Sequence, residues 1–340
     1  MRYTVSQTLG KCHICSREAW KTTPLRPESP YKQAEQFHIL RCTECGVYAT
    51  YPRPSDDELW QYYKSDSYYA TNEASSGGQV GEWQSTIPRD RWVDRLRTSV
   101  RRLVVHRYYG ANRVQREPYS FLAALIGRRR FGWTPNGLVP GHLLDVGSGD
   151  GVFLRDLEGL GWNAIGLEVS DQAATNAANL GITVRVGQLT DQLFDPQVFD
   201  VVRLWSVLEH VSDPLSSIRE VFRVLQPGGW TIIQVPNAGG FAARVFRSRW
   251  SGWHVPIHLW HFTHTSLYRL LKSAGFESIS VHYASVGTLA LTLGVNGNTT
   301  GRLAVAVADL GLDIAGAGDT LLIFARRPVQ QSHATKPNVE

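Results

Sequence analysis

Three groups of residues have types and spacings that could do chemistry. The first is Asp145-Val146-Gly147-Ser148-Gly149-Asp150-Gly151, where an apolar run ends in a glycine-rich turn. Glycines at such a turn let the backbone approach a bound molecule closely, and the carboxyl ends of strands in open α/β sheets are where ligands sit. A second acid, Glu168, lies in Gly166-Leu167-Glu168-Val169-Ser170, 23 residues after Asp145. At the end of the next strand its carboxylate would accept hydrogen bonds from ribose hydroxyls. The second group is Cys12-x-x-Cys15 and Cys42-x-x-Cys45. Two such knuckles offer four thiolates, the set that closes a tetrahedral, structural Zn2+ site. The third group is imidazole-rich: His254, His258, His261 and His264 fall within one short stretch, and Glu209-His210 form an adjacent acid and imidazole pair. Histidine titrates near neutral pH and is the natural proton acceptor for a hydroxyl.

The glycine spacing narrows the ligand. A dinucleotide fingerprint is Gly-x-Gly-x-x-Gly, whereas here the third glycine comes one position early and Asp145 precedes the first by two. That pattern favours S-adenosylmethionine over NAD. The two cysteine knuckles are separated by 26 residues, which leaves room for a short hairpin.

The elements that must position these groups can be read from periodicity. From His142 onward, strands alternate with helices, the signature of a parallel sheet covered on both faces. Strands are expected at 142–146, 163–168, 183–186, 199–205, 230–235, 278–284 and 320–326, with helices near 151–160, 171–180, 213–225 and 265–274. Asp213-Pro214 supplies a cap and a first-turn proline for the third helix, and Pro227-Gly228-Gly229 is expected to stop it. The fold class is thus α/β, a Rossmann-like, mostly parallel seven-stranded sheet, preceded by a small zinc ribbon and a helical linker. Residues 287–318 are ambiguous between helix and loop.

Residues 1–50 are polar and turn-rich and need a metal staple to fold. Residues 51–135 read as a helical linker or lid. Pro54-Ser55-Asp56 opens one helix, and from Pro88 to Tyr108 apolar residues recur at helical spacing between Arg91, Arg95, Arg101 and Arg102. Those guanidinium groups could clamp a diphosphate, or simply form a solvated face. The catalytic domain is expected over 136–328, and the polar residues 329–340 as a disordered tail.

On the residues from Asp145 to Gly151 and Glu168, the chain resembles the class I S-adenosylmethionine-dependent methyltransferases. The resemblance implies that Asp145 lies near the methionine moiety and that Glu168 holds the ribose. It also implies that Gly187-Gln188-Leu189 lies near the adenine, with Leu204 and Trp205 against the cofactor. With the turn residues Gly147, Ser148, Gly149, Asp150 and Gly151 and the neighbouring Val169, these form the expected cofactor site. A zinc ribbon ahead of such a domain resembles two groups, enzymes of nucleotide-linked sugars or polysaccharide precursors and certain ribosomal-RNA enzymes. Tyr51-Pro52-Arg53-Pro54 and Glu58-Leu59-Trp60-Gln61-Tyr62-Tyr63 look like the former. The chain has no residues left for the further C-terminal domain of deoxysugar C-methyltransferases, so carbon is not the expected acceptor atom.

Methyl transfer to a hydroxyl needs alignment and a base. His258 or His261 is expected in that role, because the segment 250–264 follows the fifth strand and should cover the site. Glu209-His210 is a second candidate, and Asn237 a candidate for binding substrate polar groups. Metal binding by the four clustered histidines is disfavoured, because Pro256 interrupts their register and no acidic ligand is close in sequence. The net charge of +5 on 340 residues does not call for nucleic acid. No apolar run reaches membrane-spanning length, and the N-terminus lacks a signal-peptide layout, so a cytoplasmic protein is expected. The favoured partner is a small-molecule acceptor, a sugar or nucleotide sugar, and a homodimer is compatible. An RNA methyltransferase gripping through ribbon and arginines, or a non-catalytic scaffold, are the alternatives.

Overall fold

A computed structural model of the chain describes residues 10–28, 36–55, 58–59, 62, 99, 105, 109, 134–135, 138–285, 289, 292–293 and 299–329. The arginines of the expected helix over 88–108 and the tail beyond 329 lie outside these residues.

The run His-Leu-Leu-Asp-Val is apolar at successive positions, as a strand covered on both faces must be, and it forms β4 (His142–Val146), buried from Leu143 onward. It sits inside a seven-stranded sheet with β5 (Asn163–Glu168), β6 (Val184–Val186), β7 (Phe199–Trp205), β8 (Leu225–Pro236), β10 (Glu277–Ala284) and β11 (Thr320–Arg326). Their order is β10-β11-β8-β7-β4-β5-β6. The pairs from β6 to β8 are parallel, and β11 runs antiparallel to both of its neighbours. Strand order reverses at β4, with β5 on one side and β7 on the other. Open α/β sheets bind ligands at the carboxyl ends of strands beside such a reversal.

The described helices are α1 (Val152–Asp156), α2 (Asp171–Asn179), α3 (Pro214–Val224), α4 (Phe241–Phe246), α5 (His264–Ser273) and α6 (Thr299–Ile314). The Asp213 carboxylate accepts from the backbone N–H groups of Leu215 and Ser216, and Pro214 takes the first turn, where no donor is needed. Two expectations are corrected. Helix α3 stops at Val224, ahead of Pro227-Gly228-Gly229, and those residues lie inside β8. The reason is pairing: Gly228 N–H donates to Arg327 O and Arg327 N–H to Gly229 O, so the expected turn is held as strand. Helix α1 spans five residues where ten were expected, and the chain beyond it continues as turns through Gly159 and Gly161. The ambiguous segment 287–318 contains α6.

The N-terminal cysteines lie on a second sheet: β1 (Trp20–Thr22), β2 (His38–Cys42) and β3 (Tyr48–Tyr51) pair antiparallel. Its fourth strand is β9 (Trp260–His261), donated by the histidine-rich segment, with Tyr48 opposite His261 and Ala49 opposite Trp260. The sheet that carries the cysteines is therefore completed by residues far down the chain.

Trp260 is the keystone of that join, 1% exposed. Its indole N–H donates to Val211 O at 2.9 Å, the Arg53 guanidinium stacks 4.4 Å from its ring centroid, and the Trp20 and His13 rings pack on it. Burying a tryptophan removes about 150–250 Å² from water, an upper bound of about 4–6 kcal/mol. His13 Nδ1 to Asp213 Oδ1 at 3.0 Å, Arg53 to Ser212 O and Arg269 to Glu44 O add polar ties between ribbon and sheet.

Candidate active site

The glycine turn follows β4 directly. Gly147 has φ +70°, and a Cβ there would overlap Val207 Cγ2. Only glycine serves at this position, and the contact shows that the segment after β7 packs on the turn. Gly147 N–H donates to Leu167 O at 2.7 Å, Ser148 is buried beneath the turn, and Gly149, Asp150 and Gly151 lead into α1.

Glu168 ends β5, and its carboxylate accepts from Gly149 N–H at 2.9 Å, Val169 N–H at 2.9 Å and Ser170 N–H at 3.0 Å. The carboxylate thus holds the glycine turn in shape. Of about four acceptor positions on a carboxylate, three are used by these backbone donors. Burial pushes its pKa up against those three donors.

Asp145 is 1% exposed and paired through Oδ1 with Arg203 Nη1 at 2.7 Å, the two lying opposite each other on β4 and β7. Burial raises its pKa and Arg203 opposes the rise. The guanidinium is stacked between Phe153 at 4.1 Å and Trp205 at 4.4 Å. Trp205 thus packs on Arg203, and Leu204 is fully buried in the main core. Asp145 Oδ2 has no partner among the described residues. At the end of β6, Gly187 N–H donates to Glu168 O, Gln188 precedes a 3-10 turn over Leu189–Asp191, and Leu189 is buried. The strand ends and turns expected for cofactor binding are therefore brought together at the carboxyl ends of neighbouring strands β7, β4, β5 and β6.

The acceptor side is built by two segments. Ser206 leaves β7 with φ +54° and donates to Gln234 Oε1 at 2.6 Å; Val207 touches the glycine turn, and Glu209 and His210 follow. The Glu209 backbone carbonyl accepts from Leu259 N–H at 2.8 Å and Trp260 N–H at 3.1 Å, which lays the histidine-rich segment against it. As a result Glu209, His210 and His258 present ligand-type atoms that all lie within 4.8 Å of one another. An acid absent from the neighbouring sequence is thus supplied from 49 residues upstream, which overturns the expectation that no acidic group lies near these histidines.

Glu209 is 1% exposed, and neither carboxylate oxygen has a hydrogen-bond partner among the described residues. Burial pushes its pKa up to about 8. Burial likewise lowers His258 to about 4 and His210 well below its ordinary value. His210 Nδ1 lies 3.2 Å from Ile257 O and His258 Nδ1 2.9 Å from Gly252 O. A carbonyl only accepts, so both Nδ1 atoms carry the proton and both Nε2 atoms carry the lone pair. The two rings meet edge to face, with centroids 4.8 Å apart.

The other histidines are placed differently. Thr50 Oγ1 donates to His258 O at 2.6 Å and lies 3.0 Å from His261 Nε2. With the hydroxyl proton used on the carbonyl, His261 Nε2–H is the donor, and its ring packs against Trp253 at 4.9 Å. His254 is buried with φ +38°, and the more exposed His264 pairs with the Tyr283 hydroxyl at 2.6 Å. Asn237 donates to Gly318 O and accepts from Gly239 N–H, so its amide shapes the turn after β8.

Residues 114–281 match the family model described as "Methyltransferase domain". With the Rossmann-like sheet and the glycine turn, this part of the chain is an S-adenosylmethionine-dependent methyltransferase domain. Among curated relatives, a ubiquinone biosynthesis O-methyltransferase of Aliivibrio fischeri (strain ATCC 700601 / ES114) is 33% identical over 109 residues, 30% of this chain and 47% of that protein. A protein of the same name from Cereibacter sphaeroides (strain ATCC 17029 / ATH 2.4.9) is 30% identical over 150 residues, 41% of this chain and 61% of that protein. The chain therefore spans about half the length of the curated relatives it matches. A solved S-adenosylmethionine-dependent methyltransferase from Mesorhizobium loti is 21% identical, with a TM-score of 0.43, covering 57% of this chain and 94% of that one.

Proposed function

We propose that the chain transfers a methyl group from S-adenosylmethionine to a hydroxyl of a small-molecule acceptor, a sugar or nucleotide-linked sugar. The observation that supports this most is the convergence of Glu209, His210 and His258 two residues beyond Val207, which itself touches Gly147 of the cofactor turn. S-adenosylmethionine supplies an electrophilic methyl group when bound. The chain's own tasks are then to hold the cofactor, to align the acceptor and to accept its proton.

Glu168, with the backbone of Gly147 to Gly151, would hold the cofactor, Glu168 through its remaining acceptor position. Asp145 Oδ2 is a further unpartnered acceptor beside that turn. The acceptor hydroxyl is proposed to lose its proton beside Glu209, His210 and His258, whose ligand-type atoms lie within 4.8 Å of one another. His261, whose Nε2–H is committed to Thr50, serves to position the segment.

The four cysteines are proposed to hold a structural Zn2+. Cys12 and Cys45 sulfurs are 3.6 Å apart, as are those of Cys15 and Cys42. A tetrahedral zinc with bonds of about 2.3 Å separates its sulfurs by about 3.8 Å, so the cluster is preformed for the ion.

The names of the curated relatives support methylation at oxygen and favour a second reading, a phenolic acceptor. Incubation with labelled S-adenosylmethionine and a panel of nucleotide sugars, free glycans, catechols and RNA separates the readings. A methylated sugar is expected. Label only in phenols selects the second reading, label only in RNA rejects both, and cofactor binding without turnover on any acceptor indicates a scaffold.

A further inference from the structure

We propose that Glu209, His210 and His258 form a second metal site, distinct from the cysteine cluster, for a divalent first-row cation such as Zn2+, Mn2+ or Fe2+. The inference deepens the reading of this group as the place where the acceptor hydroxyl loses its proton.

Two neutral imidazoles and one carboxylate are a recurrent ligand set for such ions, and three protein ligands leave positions open for water or substrate oxygen. The ligand-type atoms already lie within 4.8 Å of one another. Bonds of about 2.1 Å in a tetrahedral site place ligand atoms about 3.4 Å apart, so side-chain closure by about an ångström completes the shell.

Three independent features point to a cation. First, Glu209 is 1% exposed with both oxygens unpartnered among the described residues. A buried carboxylate without a partner is costly, and a cation is one of the few groups that satisfies both oxygens at once. Second, both imidazoles orient as metal ligands do. His210 and His258 each donate Nδ1–H to a backbone carbonyl, of Ile257 and Gly252, which fixes the tautomer that offers Nε2 outward. Third, the site is held from outside: the Glu209 carbonyl takes two backbone donors from Leu259 and Trp260, and Thr50 grips the His258 carbonyl.

With a cation bound, the imidazole lone pairs and the carboxylate are engaged. An acceptor hydroxyl on an open position would be acidified by the ion, its proton leaving to solvent, before the oxygen takes the methyl group.

The test is metal stoichiometry on the full chain, measured by elemental analysis after loading with Zn2+ or Mn2+ and gel filtration, without cofactor or acceptor. Two equivalents per chain are expected for the wild type. Glu209→Gln, His258→Gln and His210→Gln should each retain one, the cysteine-bound ion, with far-ultraviolet circular dichroism and Tm confirming the fold. Cobalt substitution separates the sites where a variant is unstable: thiolate charge-transfer bands report the ribbon, and weaker ligand-field bands in the wild type report the second site. A single equivalent in wild-type protein, with thiolate bands alone, overturns the proposal. A second equivalent in a protein that methylates nothing leaves the metal site standing and sinks the proposed function. Methyl transfer at one equivalent does the reverse.

Discussion

The Thr50 hydroxyl donates to the backbone carbonyl of His258 at 2.6 Å, joining the third ribbon strand to the segment that carries an active-site candidate. The same oxygen accepts from His261 Nε2–H. A ribbon residue thus fixes the position of His258 relative to Glu209.

Thr50→Val keeps the shape and removes both hydrogen bonds, leaving a buried carbonyl and a buried N–H unpaired. A loss of about 2 kcal/mol is expected, roughly 5 °C in Tm, with Thr50→Ser close to wild type. Differential scanning calorimetry of the three proteins checks this. Equal Tm values would show that the hydroxyl does not tie the segment down.

Glu168→Gln converts charge-assisted acceptors into neutral ones and places an amide against backbone donors. The affinity for S-adenosylmethionine should fall about 10- to 100-fold, because hydrogen bonds to a charged group contribute about 1.5–3 kcal/mol. Titration calorimetry reads this directly, and an unchanged Kd would confine Glu168 to a purely local role.

Gly147→Ala forces a left-handed residue into contact with Val207. The strain should cost about 1–3 kcal/mol and displace the segment bearing Glu209 and His210. Loss of cofactor binding and of turnover together is expected. Val207→Ala in the same background should restore part of both.

Stripping the Zn2+ proposed at the four cysteines, by chelation or by Cys42→Ser, should unravel β1 to β3 and lower the Tm of the catalytic domain as well, since Trp260 and Thr50 lose their packing. A catalytic domain that melts at an unchanged temperature after chelation would contradict the coupling described here.

Burial, aided by the neighbouring His258 and Arg53 charges, holds the His261 pKa well below its ordinary value. A group with a lowered folded-state pKa binds fewer protons folded than unfolded below about pH 6.5, so its share of stability is present above that pH and lost as the pH falls. The Tm of wild type should drop between about pH 6.5 and 5 more steeply than that of His261→Gln, which keeps a donor for Thr50. Parallel curves in the two proteins would refute this.

The strands of the large sheet were legible because each is a short apolar run bounded by turn residues, from Leu143-Leu144 to Leu321-Leu322-Ile323. The glycine turn and Glu168 were legible because a local spacing carries them. What periodicity could not show is pairing across distance. Nothing in Trp260-His261 marks a strand, since two residues have no period and their partner is Tyr48-Ala49. The extension of β8 through Pro227-Gly228-Gly229 was hidden for the same reason, because Arg327 supplies the partner atoms. The approach of Glu209 to His258 likewise depends on two backbone donors from Leu259 and Trp260. His258 and His261 looked equivalent in sequence, and only their partners separate them, the Gly252 carbonyl for His258 and the Thr50 hydroxyl for His261.

The β3 to β9 pairing also sets a timetable. In a chain made from its N-terminus, Tyr48 and Ala49 emerge long before Trp260 and His261 can pair with them. Roughly 200 residues of further synthesis separate the two events, on the order of 10–40 s at ribosomal speed. Through that interval the newborn ribbon has an open strand edge, a template for wrong partners until its own fourth strand arrives.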